Sequence, residues 1–174
     1  MEMKRAGDLM IPLDEYPHIP YWFTLRQTVA ELENTVLEHR GRKSLPRVVL
    51  VFDEKYQLMG VARRRDILRG LEPEFLTAKS LEVRKEMFDI KVDPNLSELS
   101  YEKLLDDIRK QAKRAVSEIM QPIVASVDFE DHMIKVIYEM VEHNLSLVPV
   151  MQENKVVGVV RSVDLIHEVA SFLL

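Results

Sequence analysis

Cysteine is absent from the chain, so neither a disulfide nor a thiolate metal site can form, and a cytoplasmic setting is expected. Glycine is scarce, five in 174 residues, too few for a glycine-rich phosphate loop. No G-x-G-x-x-G, Walker or G-x-S-x-G pattern is present. No apolar run approaches the ~20 residues that span a bilayer, and no signal-peptide pattern opens the chain. Positive charge is also in deficit. A net charge of −5 argues against non-specific nucleic-acid binding, which needs a basic face. The five histidines, His18, His39, His132, His143 and His167, show neither an H-x-x-x-H pair nor a carboxylate at a ligand spacing that suggests zinc. Catalysis therefore finds little support, and no metal is called for.

What remains is a soluble globular composition, 47% hydrophobic and 30% charged. The length suits one ordinary domain or two small ones. An internal repeat decides between these. Leu147 to Met151 is an apolar run, Gln152 to Lys155 a polar break of hairpin length, and Val156 to Val160 a second β-branched run containing Gly158. Ser162 then opens a helix with Asp164 in its first turn. The same order occurs earlier without a gap, in Val49 to Phe52, Asp53 to Gln57, Leu58 to Ala62 and Arg63 to Leu68. Gly60 pairs with Gly158 and Asp66 with Asp164, at an offset of 98. Upstream, Asp8-Leu9-Met10-Ile11-Pro12 matches Glu118-Ile119-Met120-Gln121-Pro122 at an offset of 110, so the first block carries 12 more residues between its anchors. Each block alone would be marginal in size, so the two should share a core.

The intervening segments read as follows. Met1 to Pro12 should be a short helix ending at the Ile-Pro step. Asp14 to Pro20 is extended or irregular. Thr24 should cap a helix whose buried stripe is Leu25, Val29, Leu32 and Val36, with Arg40 to Lys43 as a basic loop beyond it. Residues 72–114 depart from the repeat: Glu72-Pro73-Glu74 and Asp93-Pro94-Asn95 read as breaks, and Ser100 as the cap of a charged helix with Leu104, Leu105, Ile108 and Ala112 on one side. That helix is either an amphipathic linker packed on the module's edge or a docking face for a partner. Ile123 to Val127 should be a strand, followed by a helix capped by Asp128 or Asp131. The apolar end Val169, Phe172, Leu173 and Leu174 wants a partner surface.

The I-M-x-P opening, the L-V-P-V strand and the closing glycine-to-aspartate pattern resemble the cystathionine beta-synthase (CBS) domain. Two in tandem resemble a CBS pair, or Bateman module. The resemblance implies an α/β fold of two CBS repeats, each a small sheet with helices, related by a pseudo-twofold. Repeat 1 would be 1–71, the helical linker 72–114 and repeat 2 115–174. It further implies a cleft between the repeats that holds an adenosine ligand, AMP or ATP for preference. By resemblance the motif's aspartate takes the ribose hydroxyls, which falls on Asp164 and Asp66. Ser162 and Arg161 would lie nearest the phosphate, and Val124, Val148 and Pro149 would line the adenine side.

One departure matters. The family's serine or threonine before the aspartate is replaced by Arg63 and Arg161. These arginines have three readings: a pair with Asp66 or Asp164 across one helical turn, an exposed surface position, or a phosphate contact. Arg63, Arg64 and Arg65 together make an unfavourable helix start unless an anion compensates. The expected function is a non-catalytic regulatory module that senses an adenine nucleotide and signals to a protein partner in trans, as a homodimer. The alternative is a dimeric interaction scaffold whose cleft is vestigial.

Overall fold

The computed structural model describes residues 2–73 and 94–174. The first half runs α1 (Ala6–Leu9), β1 (Ile11–Pro12), a 3-10 turn (Leu13–Glu15), β2 (His18–Pro20), α2 (Leu25–Asn34), β3 (Leu37–His39), β4 (Arg42–Ser44), β5 (Val48–Phe52), β6 (Leu58–Arg63) and α3 (Arg64–Leu71). The second runs α4 (Pro94–Gln111), a 3-10 turn (Val116–Glu118), β7 (Gln121–Pro122), β8 (Val127–Asp128), α5 (Met133–Glu142), β9 (Leu147–Gln152), β10 (Lys155–Arg161) and α6 (Ser162–Leu173). Among the described residues two four-stranded sheets form, in the orders β1-β10-β9-β8 and β7-β6-β5-β2. Each has an antiparallel hairpin at its centre and a parallel pair, β8 with β9 or β2 with β5, at one edge. The mixed α/β architecture of two small sheets with helices is as expected.

The edge strands are exchanged. Ile11 and Pro12 pair with Val159 and Gly158, so the opening of the first repeat completes the second repeat's sheet. Gln121 and Pro122 pair with Val61 and Gly60, returning the exchange. Sequence boundaries at 71 and 115 therefore do not coincide with sheet boundaries, and neither sheet is complete without the other half of the chain. Both glycines exist for this contact. A Cβ on Gly158 would stand 2.5 Å from the Ile11 carbonyl oxygen, and one on Gly60 would stand 2.4 Å from that of Gln121.

Several local expectations shift. Among the described residues of the expected helix, Met1 to Pro12, only Ala6–Leu9 is α-helical, because Ile11 and Pro12 are recruited as strand. Thr24 does cap α2: its Oγ1 accepts from the Gln27 N–H at 3.2 Å, and the Gln27 side chain accepts from the Thr24 N–H at 2.9 Å. Leu25 and Leu32 are buried, but the helix ends at Asn34 and leaves Val36 exposed. The 12 extra residues of the first repeat include the β3–β4 hairpin where a loop was expected. Its turn places Arg40 and Gly41 both at positive φ, +53° and +76°, the backbone a two-residue hairpin turn requires. The strand expected over Ile123 to Val127 begins only at Val127. Helix α5 starts after His132, while Asp131 accepts from the Asp128 N–H and pairs with Lys135.

Among the described residues three clusters make the core. One lies between the β1-β10-β9-β8 sheet and helices α1, α5 and α6, around Val127, Val136, Val148, Val150 and Leu165. Another lies under the β7-β6-β5-β2 sheet, around Val49, Val51, Ile67 and Val116. The third joins the halves, with Ile11, Tyr16, Leu50, Phe52, Leu147 and Val159 in one group. This shared cluster is how two marginal repeats become stable together. Helix α4 begins at Pro94, a tolerated first-turn position, earlier than the Ser100 start expected. The chain following it docks on the first repeat: Leu25 and Arg26 donate backbone N–H groups to the Arg114 and Ala112 carbonyls, and Arg114 Nη1 donates to the Gly70 carbonyl at 3.2 Å. Leu104 and Leu105 are half-buried and Ile108 is exposed. The expected breaks at Glu72-Pro73-Glu74 and Asp93-Pro94-Asn95 fall partly outside the described residues.

Candidate functional site

Strands β6 and β10 each run directly into a helix, α3 or α6, and these two junctions carry the repeated aspartates. Both carboxylates are taken by the arginine three residues before them. Arg161 Nε and Nη2 donate to Asp164 Oδ2 and Oδ1 at 2.7 and 2.9 Å. Arg63 Nε and Nη2 donate to Asp66 Oδ2 and Oδ1 at 2.8 and 2.9 Å. These are two-point, charge-assisted pairs, and both aspartates are buried. The pairing across one helical turn is therefore the reading of Arg63 and Arg161 that the structure shows.

Asp66 is held further. It accepts from the Arg63 N–H at 3.0 Å, keeping half of a capping box, and from Gln121 Nε2 of the exchanged strand at 3.2 Å. Burial would raise its pKa, but the hydrogen bonds and charge of Arg63 and the bond from Gln121 outweigh burial and hold it below the ordinary carboxylate value. Arg161 instead spends its remaining nitrogen outside its own repeat: Nη1 donates to Ser44 Oγ at 2.8 Å, at the end of the β3–β4 hairpin.

Among the described residues, two cavities lie between the halves. The larger, about 550 Å³, is lined by Tyr16, Ser44, Leu45, Arg47, Val48 and Arg64 from the first repeat and by Ser146, Leu147, Arg161, Ser162 and Val163 from the second. The smaller, about 220 Å³, is lined by Val48, Val61, Arg63, Asn144, Leu145, Ser146, Leu147 and Ser162. Small-molecule sites commonly occupy ~300–1,000 Å³, so only the larger has room for a nucleotide-sized ligand. Tyr16 forms part of its wall, fully buried and donating its hydroxyl to the Val48 carbonyl at 2.6 Å. Burial pushes the Tyr16 phenol far above its ordinary pKa, so it stays a neutral donor.

The expected site residues divide accordingly. Arg161 and Ser162 line the larger cavity, and Arg63 the smaller. Asp164 and Asp66 lie behind their arginines, outside the lining of both cavities. Val148 and Pro149 line neither. Val148 points into the core under α5 and α6, because strand side chains alternate and Leu147 takes the cleft side. Val124 also lines neither and is exposed, because the strand that would have turned it inward begins only at Val127. Residues not anticipated are Tyr16, Ser44, Arg47 and Ser146, whereas Arg64 belongs to the basic helix start noted above. The repeat offset of 98 carried a signal for part of this set, since it equates Val48 with Ser146, and both line both cavities.

The hairpin closes one side of the larger cavity. Arg40 Nη1 pairs with Glu168 of α6 at 3.2 Å, and its Nη2 donates to the Asp8 carbonyl. Arg42 Nη1 meets the imidazole of His167 at 2.8 Å, and Lys4 Nζ also binds Glu168, at 2.8 Å. Among the described residues no group of three His, Asp or Glu side chains could hold a metal ion, and no helix is long and apolar enough to cross a membrane.

Comparison with known proteins decides the family of the second half, since residues 116–171 match the CBS domain family. This segment is a CBS domain. Solved structures of CBS domains align over nearly all of the chain. The CBS domain of a CBS domain-containing membrane protein from Sphaerobacter thermophilus aligns over 95% of this chain and 87% of its own, at 19% identity and a TM-score of 0.63. CBSX2, solved in complex with AMP, aligns over 98% of each chain at 14% identity and a TM-score of 0.61. The cytosolic domain of the Mg2+ channel MgtE, solved in complex with ATP, aligns over 96% of this chain and 49% of its own, at 21% identity and a TM-score of 0.58. A comparison with curated protein sequences gives no match. The architecture is that of a tandem CBS pair, each sheet finished by a strand of the other repeat.

Proposed function

We propose that this CBS pair is a regulatory, non-catalytic module that binds one adenine nucleotide in its larger cleft cavity and signals occupancy to a protein partner. The observation that carries this reading is the 550 Å³ cavity itself, walled by both repeats and bounded by Arg161 and Ser162 at the start of α6. CBSX2 with AMP and MgtE with ATP give the ligand class on the same fold. In this proposal Ser162 and Arg161 meet phosphate, and Asp164 accepts the ribose hydroxyls once Arg161 turns from the carboxylate to the ligand. Such an exchange trades one charge-assisted pair for another. The smaller cavity, lined by Arg63, stays empty. A thermal-shift panel of AMP, ADP, ATP and other adenosyl compounds tests the reading. A ligand at 100 times its dissociation constant adds ~2.7 kcal/mol, well above detection, and a panel with no shift rejects the proposal.

A second reading, the dimeric scaffold, is favoured by a specific feature. Ile134, Tyr138 and Val141 form an exposed stripe at spacings of four and three on α5, beside exposed Val163 and Ile166 on α6. We propose that this face pairs two copies in a cytoplasmic homodimer. Light scattering should give a dimer mass at micromolar concentration and a monomer for Val141→Asp. A wild-type monomer at all concentrations would remove the dimer from both readings.

A further inference from the structure

We propose that the larger cavity selects a nucleotide with a chain of two or more phosphates, held by Arg47 and Arg64 in addition to Arg161. This rests on the nucleotide reading above and narrows it. The cavity lining carries three arginines and no carboxylate, in a chain whose net charge is −5. A cationic wall in an acidic protein favours a polyanion through its local field. The three guanidinium groups are not equally committed. Arg161 is engaged at all three nitrogens, two on Asp164 and one on Ser44. Arg64 spends one nitrogen on the Pro46 carbonyl at 3.2 Å. The Arg47 guanidinium has no hydrogen-bond or ion-pair partner among the described residues, although Arg47 lines the cavity.

A single phosphate at the start of α6 would use Arg161 and leave the first-repeat cations idle. Arg47 and Arg64 enter from the opposite side of the cleft, the first just before β5 and the second at the start of α3. A second observation points the same way. Helix α3 is entered through Arg63, Arg64 and Arg65, whose charges oppose the positive end of its dipole. Asp66 offsets Arg63, whereas Arg64 has only a carbonyl partner. Phosphate oxygens beside Arg64 and Arg47 relieve that repulsion and complete their forked donor sets. A nucleoside monophosphate has a single phosphate group to share among three arginines.

The test is titration calorimetry of the full chain with AMP, ADP, ATP and inorganic tripolyphosphate, using wild type, Arg47→Gln and Arg64→Gln, with each variant's melting curve as a folding control. The expected result is ATP bound at least about tenfold more tightly than AMP, with either substitution lowering ATP affinity by more than it lowers AMP affinity. Tripolyphosphate should compete with ATP more weakly than ADP does. AMP binding as tight as ATP, or folded variants with unchanged ATP affinity, overturns the polyphosphate proposal and leaves the nucleotide reading standing. Tripolyphosphate binding as tightly as ATP supports the anion site and removes adenosine recognition. Absence of binding by all four overturns both.

Discussion

The carbonyl oxygen of Ile11 lies where a side chain on Gly158 would begin, 2.5 Å from its ideal Cβ position, and Gln121 stands in the same relation to Gly60 at 2.4 Å. The two contacts are the same joint built twice, each between a repeat's hairpin and the edge strand supplied by the other half of the chain. Because the obstructing atom is backbone, the strand must move if a methyl group is added.

Gly158→Ala and Gly60→Ala should therefore each destabilise the whole chain, by about 1–3 kcal/mol, as overpacking does elsewhere. One cooperative melting transition should persist and shift down, since neither sheet is complete alone. Differential scanning calorimetry checks this. Two separate transitions in either variant would show that the repeats fold independently and that the exchange contributes little.

Acid should act through Asp66. Its folded pKa lies below the ordinary value of 3.8, so its contribution is fully present above that value and is lost as pH falls through it toward the folded pKa. Asp66→Asn should lower the melting temperature at neutral pH and flatten the decline below about pH 4 relative to wild type. Parallel pH profiles of the two would contradict the pairing with Arg63 and Gln121.

The hairpin latch rests on Glu168, which is buried and bound by both Lys4 and Arg40. Glu168→Gln keeps the shape and removes the charge. It should cost about 1–2 kcal/mol, less than a fully buried pair because both cations are partly exposed. Amide hydrogen exchange should rise across residues 37–44 ahead of the sheets. Unchanged protection there would show that the hairpin is held by other contacts.

How far the sequence disclosed all this follows from what a repeat can show. Paired Gly60 with Gly158 and Asp66 with Asp164 revealed two equivalent units, and the fold followed. Equivalence is silent about partners: Ile11-Pro12 looks the same whether it pairs within its own half or across. The β3–β4 hairpin looks like a basic loop in the sequence because Glu38, Arg42 and Lys43 give no β-branched alternation, and α6 holds it through Arg40 and Arg42. Arg161 and Ser162, which the motif singles out, line the larger cavity. Arg47 lines it too but gives no sequence signal, since a lone arginine before a strand has no pattern. Val148, expected on the adenine side, packs in the core instead, because alternate residues of a strand face opposite ways.

The most direct measurement is a calorimetric titration of wild type and Asp164→Asn with ATP. One nucleotide should bind per chain, in the 550 Å³ cavity, with none in the 220 Å³ cavity. Asp164→Asn should bind about ten- to a hundredfold more weakly, through the loss of charge-assisted hydrogen bonds to the ribose. No binding by wild type, two equal sites, or the same affinity in both proteins would contradict the proposed site.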